Sequence, residues 1–371
     1  MPRVKAVFYL LDGDSNASSY HRALQYFPLL RQHGIEARAA RPVPPSMYER
    51  LVERGGKGTP SRLRNKVAFY SLFALCRTLD VRRANQADVV VIQRDLFPFG
   101  PPALERMLLR RNPNLVYDTD DATYQRPSFT PSTPFQRLRR FDKVAEVVRR
   151  ARWVSVATEP IAAWARQYNQ CVSVLPMAID PRIYDVVRQA RAKTSTANSG
   201  RRLVLGWAGT AGGLGYLQAL LPVLRKVAEK HDVEVRVVSG GFRGVQLPGV
   251  PVEARPWCGI DQLSGFDIGL LPLDDSPFER AKFPFKLLQY WALGMPVVSA
   301  RVGIASEVIE HGVNGLLASS AEEWLAALDR LLADSALRAR LGDAGRETVA
   351  GSYTIERIGP LLVDGLIVAA R

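Results

Sequence analysis

The sequence predicts an α/β protein made of two doubly wound domains, each built around a parallel sheet. Its 371 residues exceed one ordinary core, since a domain takes about 100–200 residues. Short β-branched runs alternate with helical patterns, and the alternation pauses at a polar stretch before starting again. Hydrophobic residues are 47% of the chain and charged residues 23%, a globular balance that excludes a disordered, collagen-like or disulfide-stapled chain.

Taken in order, Val4 to Leu11 reads as a strand, Ser18 to His33 as a helix stopped by Gly34, and Glu36 to Ala40 as the second strand. A Pro/Gly/Arg-rich connection and a basic helix come next. Asp88 to Ile92, Asn114 to Tyr117 and Trp153 to Ala157 supply further strands, each followed by a loop and a helical pattern. Residues 186–202, with the run Lys193-Thr-Ser-Thr-Ala-Asn-Ser-Gly200, are polar and aperiodic and read as the linker. Beyond it, strands restart at Leu203 to Trp207, Val233 to Val238, Pro251 to Ala254, Ile268 to Leu271 and Val297 to Ser299. The expected domains are 1–186 and 203–352, and a terminal helix within 353–371, lacking a strand after it, is expected to pack back onto the first domain.

No apolar run approaches the roughly 18 residues that span a bilayer; the longest, Val67 to Cys76, contains Ser71. The opening Met1-Pro2-Arg3 runs into the first strand without a small-residue cleavage site, so a cytoplasmic location is expected. Cys76, Cys171 and Cys258 form no CxxC, and His21, His33, His231 and His311 never fall at ligand spacing, so neither a disulfide framework nor a zinc site is expected. A formal charge of +14 implies a polyanionic partner: nucleic acid, anionic lipid or a phosphorylated small molecule.

Gly206-Trp-Ala-Gly209-Thr210-Ala-Gly-Gly213-Leu-Gly215 follows a strand but fails the dinucleotide fingerprint, because Gln218 stands where the third glycine belongs. No P-loop sequence occurs. A phosphate-approaching loop and a plain tight turn both remain open for this run. More informative is Pro277-Phe-Glu-Arg280-Ala-Lys282-Phe-Pro284-Phe285-Lys286-Leu287-Leu-Gln289, with Gly294 and Pro296 closing the helix. Lysine in a first turn opposes the helix dipole. Lys282 and Lys286 there point to an anion such as phosphate, held by the lysines and the free N–H groups.

Residues 268–317, through Lys286-Leu-Leu-Gln-Tyr-Trp-Ala-Leu-Gly294-Met-Pro-Val-Val and Gly303-Ile-Ala-Ser-Glu307-Val-Ile-Glu-His-Gly-Val-Asn-Gly315, resemble the donor domain of GT-B nucleotide-sugar glycosyltransferases, the family-4 type within glycosyl transferases group 1. Weaker echoes are Ser18-Ser19-Tyr20-His21-Arg22, Asp118-Thr-Asp120-Asp121 and Val174-Leu-Pro-Met-Ala-Ile-Asp180. The resemblance implies two Rossmann-like domains facing a cleft, with the donor held by the second domain and the acceptor by the first. It also implies no metal and no cofactor beyond a nucleoside diphosphate sugar as co-substrate. Gly209, Thr210, Arg280, Phe285, Leu287 and Gln289 become candidate donor contacts, with Trp257 at the place where the family holds the base; Ser19, Arg22 and Asp118 become acceptor-side candidates. The family's two glutamates, with seven residues between them, are replaced by Ala281 and Gln289, and its Arg and Lys after the first donor-domain strand are missing from 208–215. Gln289 can still reach ribose hydroxyls through its amide.

Asp118-Thr119-Asp120-Asp121 ends a strand where open sheets place ligands. Acceptor binding or base chemistry by Asp120 or Asp121, helix capping, and a metal site are the open readings. Basic stretches at Ser61 to Arg77 and Arg137 to Arg152 mix cations with aromatics; a solvated face, an anionic membrane surface and nucleic acid compete there, and no nucleic-acid motif supports the last. Helical spacing puts Arg62, Lys66, Tyr70, Phe73 and Arg77 on one side, with Phe69 beside them. The expected activity is transfer of a sugar to a hydroxyl acceptor, lipid-linked in one version, in bacterial glycan assembly and on the inner face of the membrane. Lys282 and Lys286 would stabilise the leaving diphosphate, and Asp120 or Asp121 would act as base if configuration inverts. A nucleotide-sugar epimerase and a non-catalytic binding subunit are the rivals.

Overall fold

The computed structural model describes residues 3–11, 17–40, 60–127, 138–195, 201–240 and 245–371. Residues 12–16, the connection over 41–59, Arg137 and residues 196–200 lie outside them, as does the Arg62 side chain. The chain divides into two units: Met1–Arg126, Pro131–Met177 and Ile355–Arg371 form the first, and Pro127–Thr130 with Ala178–Thr354 the second.

The first unit is a six-stranded parallel sheet in the order β2-β1-β3-β4-β5-β6. Its strands are β1 (Val4–Leu10), β2 (Ile35–Ala40), β3 (Val89–Gln93), β4 (Leu115–Thr119), β5 (Trp153–Val156) and β6 (Val172–Val174). Strands β3, β4 and β5 are buried along their whole length, as helix-covered parallel strands must be. The expected helix over 18–33 is broken into Ala17–Arg22, a tight turn at Leu24–Tyr26, and Phe27–Gln32. Pro28, near the start of the last piece, has no N–H to continue the ladder. The terminal helix Ile355–Ala370 belongs to this unit, packing on β1, β3 and β4.

The second unit repeats the architecture in the order β12-β11-β10-β7-β8-β9, again all parallel. Its strands are β7 (Leu203–Thr210), β8 (Val233–Gly240), β9 (Val252–Pro256), β10 (Ile268–Leu271), β11 (Val297–Ala300) and β12 (Leu316–Ala318). Strands β6 and β12, three residues each, are too short for a period-2 pattern to reveal. The expected linker is helical through its first ten residues, in Pro181–Ser195. Asp180 starts that helix by accepting the Arg182 N–H at 3.0 Å, and Tyr184 buries its ring.

The basic helix is Pro60–Arg82, but its faces are the reverse of those expected. Phe69 and Phe73 are buried, and Arg77 is 0% exposed. Its guanidinium donates to Leu96 O (3.1 Å), Ala40 O (3.0 Å) and Leu10 O, closing orphan carbonyls at the ends of β1 and β2. Burial pulls Arg77 down to about 10. The outward face instead carries Val67, Leu75 and Leu79, exposed by 51%, 58% and 47%, with Arg64 and Arg82 in line.

Candidate functional site

In a doubly wound sheet, ligands gather beyond the carboxyl ends of the strands, where the chain leaves a central strand toward opposite edges. In the second unit that point lies between β7 and β10, because β8 and β9 extend one side and β11 and β12 the other. The segment after β7 brings Tyr216, the end of β9 leads to Trp257, and the loop after β10 brings residues 276–289. Ser276 caps the one-turn helix Pro277–Ala281 by accepting the Glu279 N–H at 3.3 Å. Pro284 then precedes the helix Phe285–Ala292, which Gly294 ends at φ 70°.

This loop positions the lysines. The Lys286 ammonium lies 4.9 Å from the centroid of the Trp257 ring and donates to Gln289 Oε1 at 3.0 Å. Gln289 is buried, and its Nε2 donates to the Tyr184 hydroxyl at 3.1 Å. Burial, and after it the charge of Lys282, push Lys286 down from 10.5 to about 8. Among the described residues no carboxylate lies within ion-pair distance of either lysine. Two cations without a carboxylate partner at a switch point have the charge to receive an anion. Beside them Glu279 is 1% exposed; Oε1 accepts from Tyr216 at 2.7 Å, and Oε2 has no partner.

The first unit's switch point, between β1 and β3, holds a closed ionic network. Arg22 donates to both Asp118 oxygens, to Ser155 Oγ (2.9 Å) and to Leu175 O (2.5 Å). Arg94, at a left-handed φ of 66°, donates through Nε to Asp120 at 2.7 Å and through Nη2 to Asp120 at 2.9 Å and to Asp121. Ser18 donates to Asp120 at 2.7 Å and accepts from Gln93 at 2.6 Å. Burial alone would raise the Asp120 carboxyl, but Arg94's charge and hydrogen bonds, with Ser18 and Arg22, hold it below the usual carboxylate range.

Residues 216–334 match the family described as Glycosyl transferases group 1. Over 137 residues the chain is 38% identical to the lipopolysaccharide core biosynthesis glycosyltransferase LpsE of Rhizobium meliloti (strain 1021). That match covers 36% of this chain and 35% of LpsE, so it spans about a third of the relative. This segment belongs to the group 1 glycosyl transferases. The fold of the whole chain is GT-B. Anabaena Alr3699/HepE, solved with UDP and glucose, superposes with a TM-score of 0.66 at 17% identity over 98% of this chain and 100% of that one. WaaG, a glycosyltransferase involved in lipopolysaccharide biosynthesis, does so at 0.61 and 14%, over 97% and 98%.

Within the group 1 segment, the loop gathers Lys286, Trp257 and Gln289 but not every expected donor contact. Leu287 is fully buried and its N–H is spent on Pro284 O, so it is core. Arg280 faces solvent, paired with Asp275 at 2.5 Å. Gln289 has both ends of its amide engaged, by Lys286 and by Tyr184. Phe285 is half-buried and bonds Phe283 O through its N–H. Gly206 and Gly209 have packing reasons: a Cβ would lie 1.9 Å from the Phe266 ring and 2.5 Å from the Trp207 ring respectively. Thr210 is exposed at the end of β7. In the first unit Ser19 is fully buried, Arg22 and Asp118 saturate each other, and Asp120 and Asp121 are held by Arg94, an arrangement of structural ion pairs rather than open ligand groups. Sequence reasoning passed over Tyr184, Arg94, Tyr216 and Glu279. The Ser276-x-x-Glu279 spacing is a capping box, which would send the glutamate back to the Ser276 N–H; its carboxylate turns to Tyr216 instead.

Proposed function

We propose that the protein is a glycosyltransferase that moves a sugar from a nucleoside diphosphate sugar to a hydroxyl of a growing glycan of the lipopolysaccharide or polysaccharide kind. The observation that carries this reading is the uncompensated pair Lys282 and Lys286 at the β7/β10 switch point of a group 1 segment. As the glycosidic bond breaks, charge grows on the leaving diphosphate, and cations already in place lower the transition state more than the ground state. In this reading Trp257, under the Lys286 ammonium, lies toward the nucleoside. The reaction needs no metal in this reading: the lysines supply the positive charge, and the Asp118 and Asp120 carboxylates already face guanidinium groups. Asp120, held ionised far below neutral pH, is a weak base, which favours proton transfer from the acceptor to the departing phosphate on the same face of the sugar. LpsE and WaaG, named for lipopolysaccharide synthesis, support the acceptor class.

Three free cysteines and a nucleotide-sugar donor suit the cytoplasm. Among the described residues no helix is long and apolar enough to cross a membrane. Peripheral contact is proposed through the outward face of Pro60–Arg82, where Val67, Leu75 and Leu79 lie between Arg64 and Arg82 and the net charge of +14 favours anionic lipid. The test is incubation with UDP-, GDP- and dTDP-sugars, with and without a lipid-extract acceptor. Acceptor-dependent nucleotide release is the expected result. Acceptor-independent conversion would make the protein an epimerase, and binding without turnover a donor-binding subunit.

A further inference from the structure

Among the described residues, buried side-chain polar atoms without a hydrogen-bond partner include Ser239 Oγ and Glu279 Oε2. Both lie at the carboxyl edge of the second sheet: Ser239 near the end of β8, Glu279 in the loop after β10. A buried oxygen left without a donor forfeits about 1–3 kcal/mol, more when it is charged, so native proteins keep few of them. Glu279 is the costlier of the two. It is 1% exposed, and Tyr216, reaching over from the segment after β7, holds its other oxygen at 2.7 Å. The hydroxyl thus fixes the carboxylate at the switch point and leaves one oxygen unanswered.

We propose that Glu279, positioned by Tyr216, binds the sugar of the donor by accepting a hydrogen bond from one of its hydroxyls at Oε2. The proposal rests on the donor-site reading above and names the group that reads the sugar end of that donor. The chemistry selects the ligand part. A phosphate oxygen has no proton to give and would be repelled by the carboxylate; it goes to Lys282 and Lys286. Those lysines are close in the chain, since the Lys282 N–H bonds Glu279 O at 3.3 Å. A neutral, hydroxyl-rich group attached to the diphosphate supplies the donor that Oε2 lacks, and hydrogen bonds from neutral donors to a buried carboxylate are among the stronger ones. Ala281, two residues on, has no polar side chain to share the task.

The test separates sugar from nucleotide. Affinities for UDP, GDP and dTDP, and for UDP-glucose, GDP-mannose and dTDP-glucose, are measured by calorimetry on wild type, Glu279→Gln and Tyr216→Phe, with thermal melts to confirm folding. The expected result is that Glu279→Gln leaves the preferred nucleoside diphosphate within about twofold but weakens its sugar conjugate tenfold or more, and that Tyr216→Phe weakens the conjugate by a smaller factor. If nucleotide and conjugate bind as in wild type in the folded Glu279→Gln protein, Glu279 does not read the sugar and the proposal is overturned while the donor-site reading stands. An equal loss for nucleotide and conjugate also overturns it, because that is the signature of a structural role. If none of the six compounds binds the wild type, the donor-site reading fails and the proposal with it.

Discussion

Binding of a nucleoside diphosphate should take up a proton through Lys286. In the free protein its ammonium titrates at about 8, held down first by burial and then by Lys282. A bound diphosphate brings opposite charge and restores a value near that of an ordinary lysine, 10.5. Below pH 8 the lysine is already charged and affinity is at its plateau; above pH 8 each binding event must first protonate it. Linkage then predicts a dissociation constant rising about tenfold between pH 7 and pH 9, with roughly half a proton taken up per complex at pH 8. The ligand does not mask this, since the second ionisation of a phosphate lies near about 6. Calorimetry in two buffers of different ionisation enthalpy counts the proton directly. Lys286→Arg, whose side chain stays charged throughout, should bind with a flat pH profile, and Lys286→Met should bind weakly with no proton uptake. Wild-type affinity that is level from pH 7 to 9, with no buffer dependence of the enthalpy, would refute the assignment of Lys286 to the phosphate.

Gln289→Glu should place a carboxylate beside Lys286, with the Tyr184 hydroxyl, which accepts from the Gln289 amide in the wild type, turning to donate to it; this lifts the lysine and moves the pH at which nucleotide affinity begins to fall upward by a unit or more, and calorimetry across pH 7 to 10 reads it. Asp118→Ala leaves the buried Arg22 without its carboxylate and should cost about 3–5 kcal/mol of stability in urea melts, with nucleotide affinity in the folded protein unchanged. Leu75→Glu with Leu79→Glu should abolish sedimentation with anionic liposomes at low salt, binding that in the wild type weakens as salt screens the exposed arginines; a wild type that ignores such liposomes removes the membrane from the proposal. Lys286→Met should also raise the melting temperature of the ligand-free protein at pH 7, by up to about 3 kcal/mol in free energy, because a lysine depressed on folding destabilises the fold wherever it must stay charged.

Local pattern was enough for the two doubly wound sheets and the lysine loop. Hydrophobic runs of strand length alternate with 3.6-residue periods whatever the partners are, and Pro284, Lys286 and Gly294 punctuate one helix within a few residues of each other. Charge signs along the chain were equally legible, so an anion-binding reading of Lys282 and Lys286 needed no coordinates. What each charged side chain meets was decided only by the tertiary structure. Arg77 reads as a surface cation on a basic helix, yet the helix turns it inward onto carbonyls 37 and 67 residues away. Asp118 and Asp120 read as an open acidic motif, yet arginines 96 and 26 residues distant neutralise them. Glu279 draws no reading from the sequence, yet a tyrosine 63 residues earlier claims one of its oxygens and leaves the other bare. The physical reason is common to all three: desolvation and ion pairing depend on which atoms share a low-dielectric space. Parallel βα units bring the loops after different strands to one edge of a sheet, and no local window of sequence contains that edge.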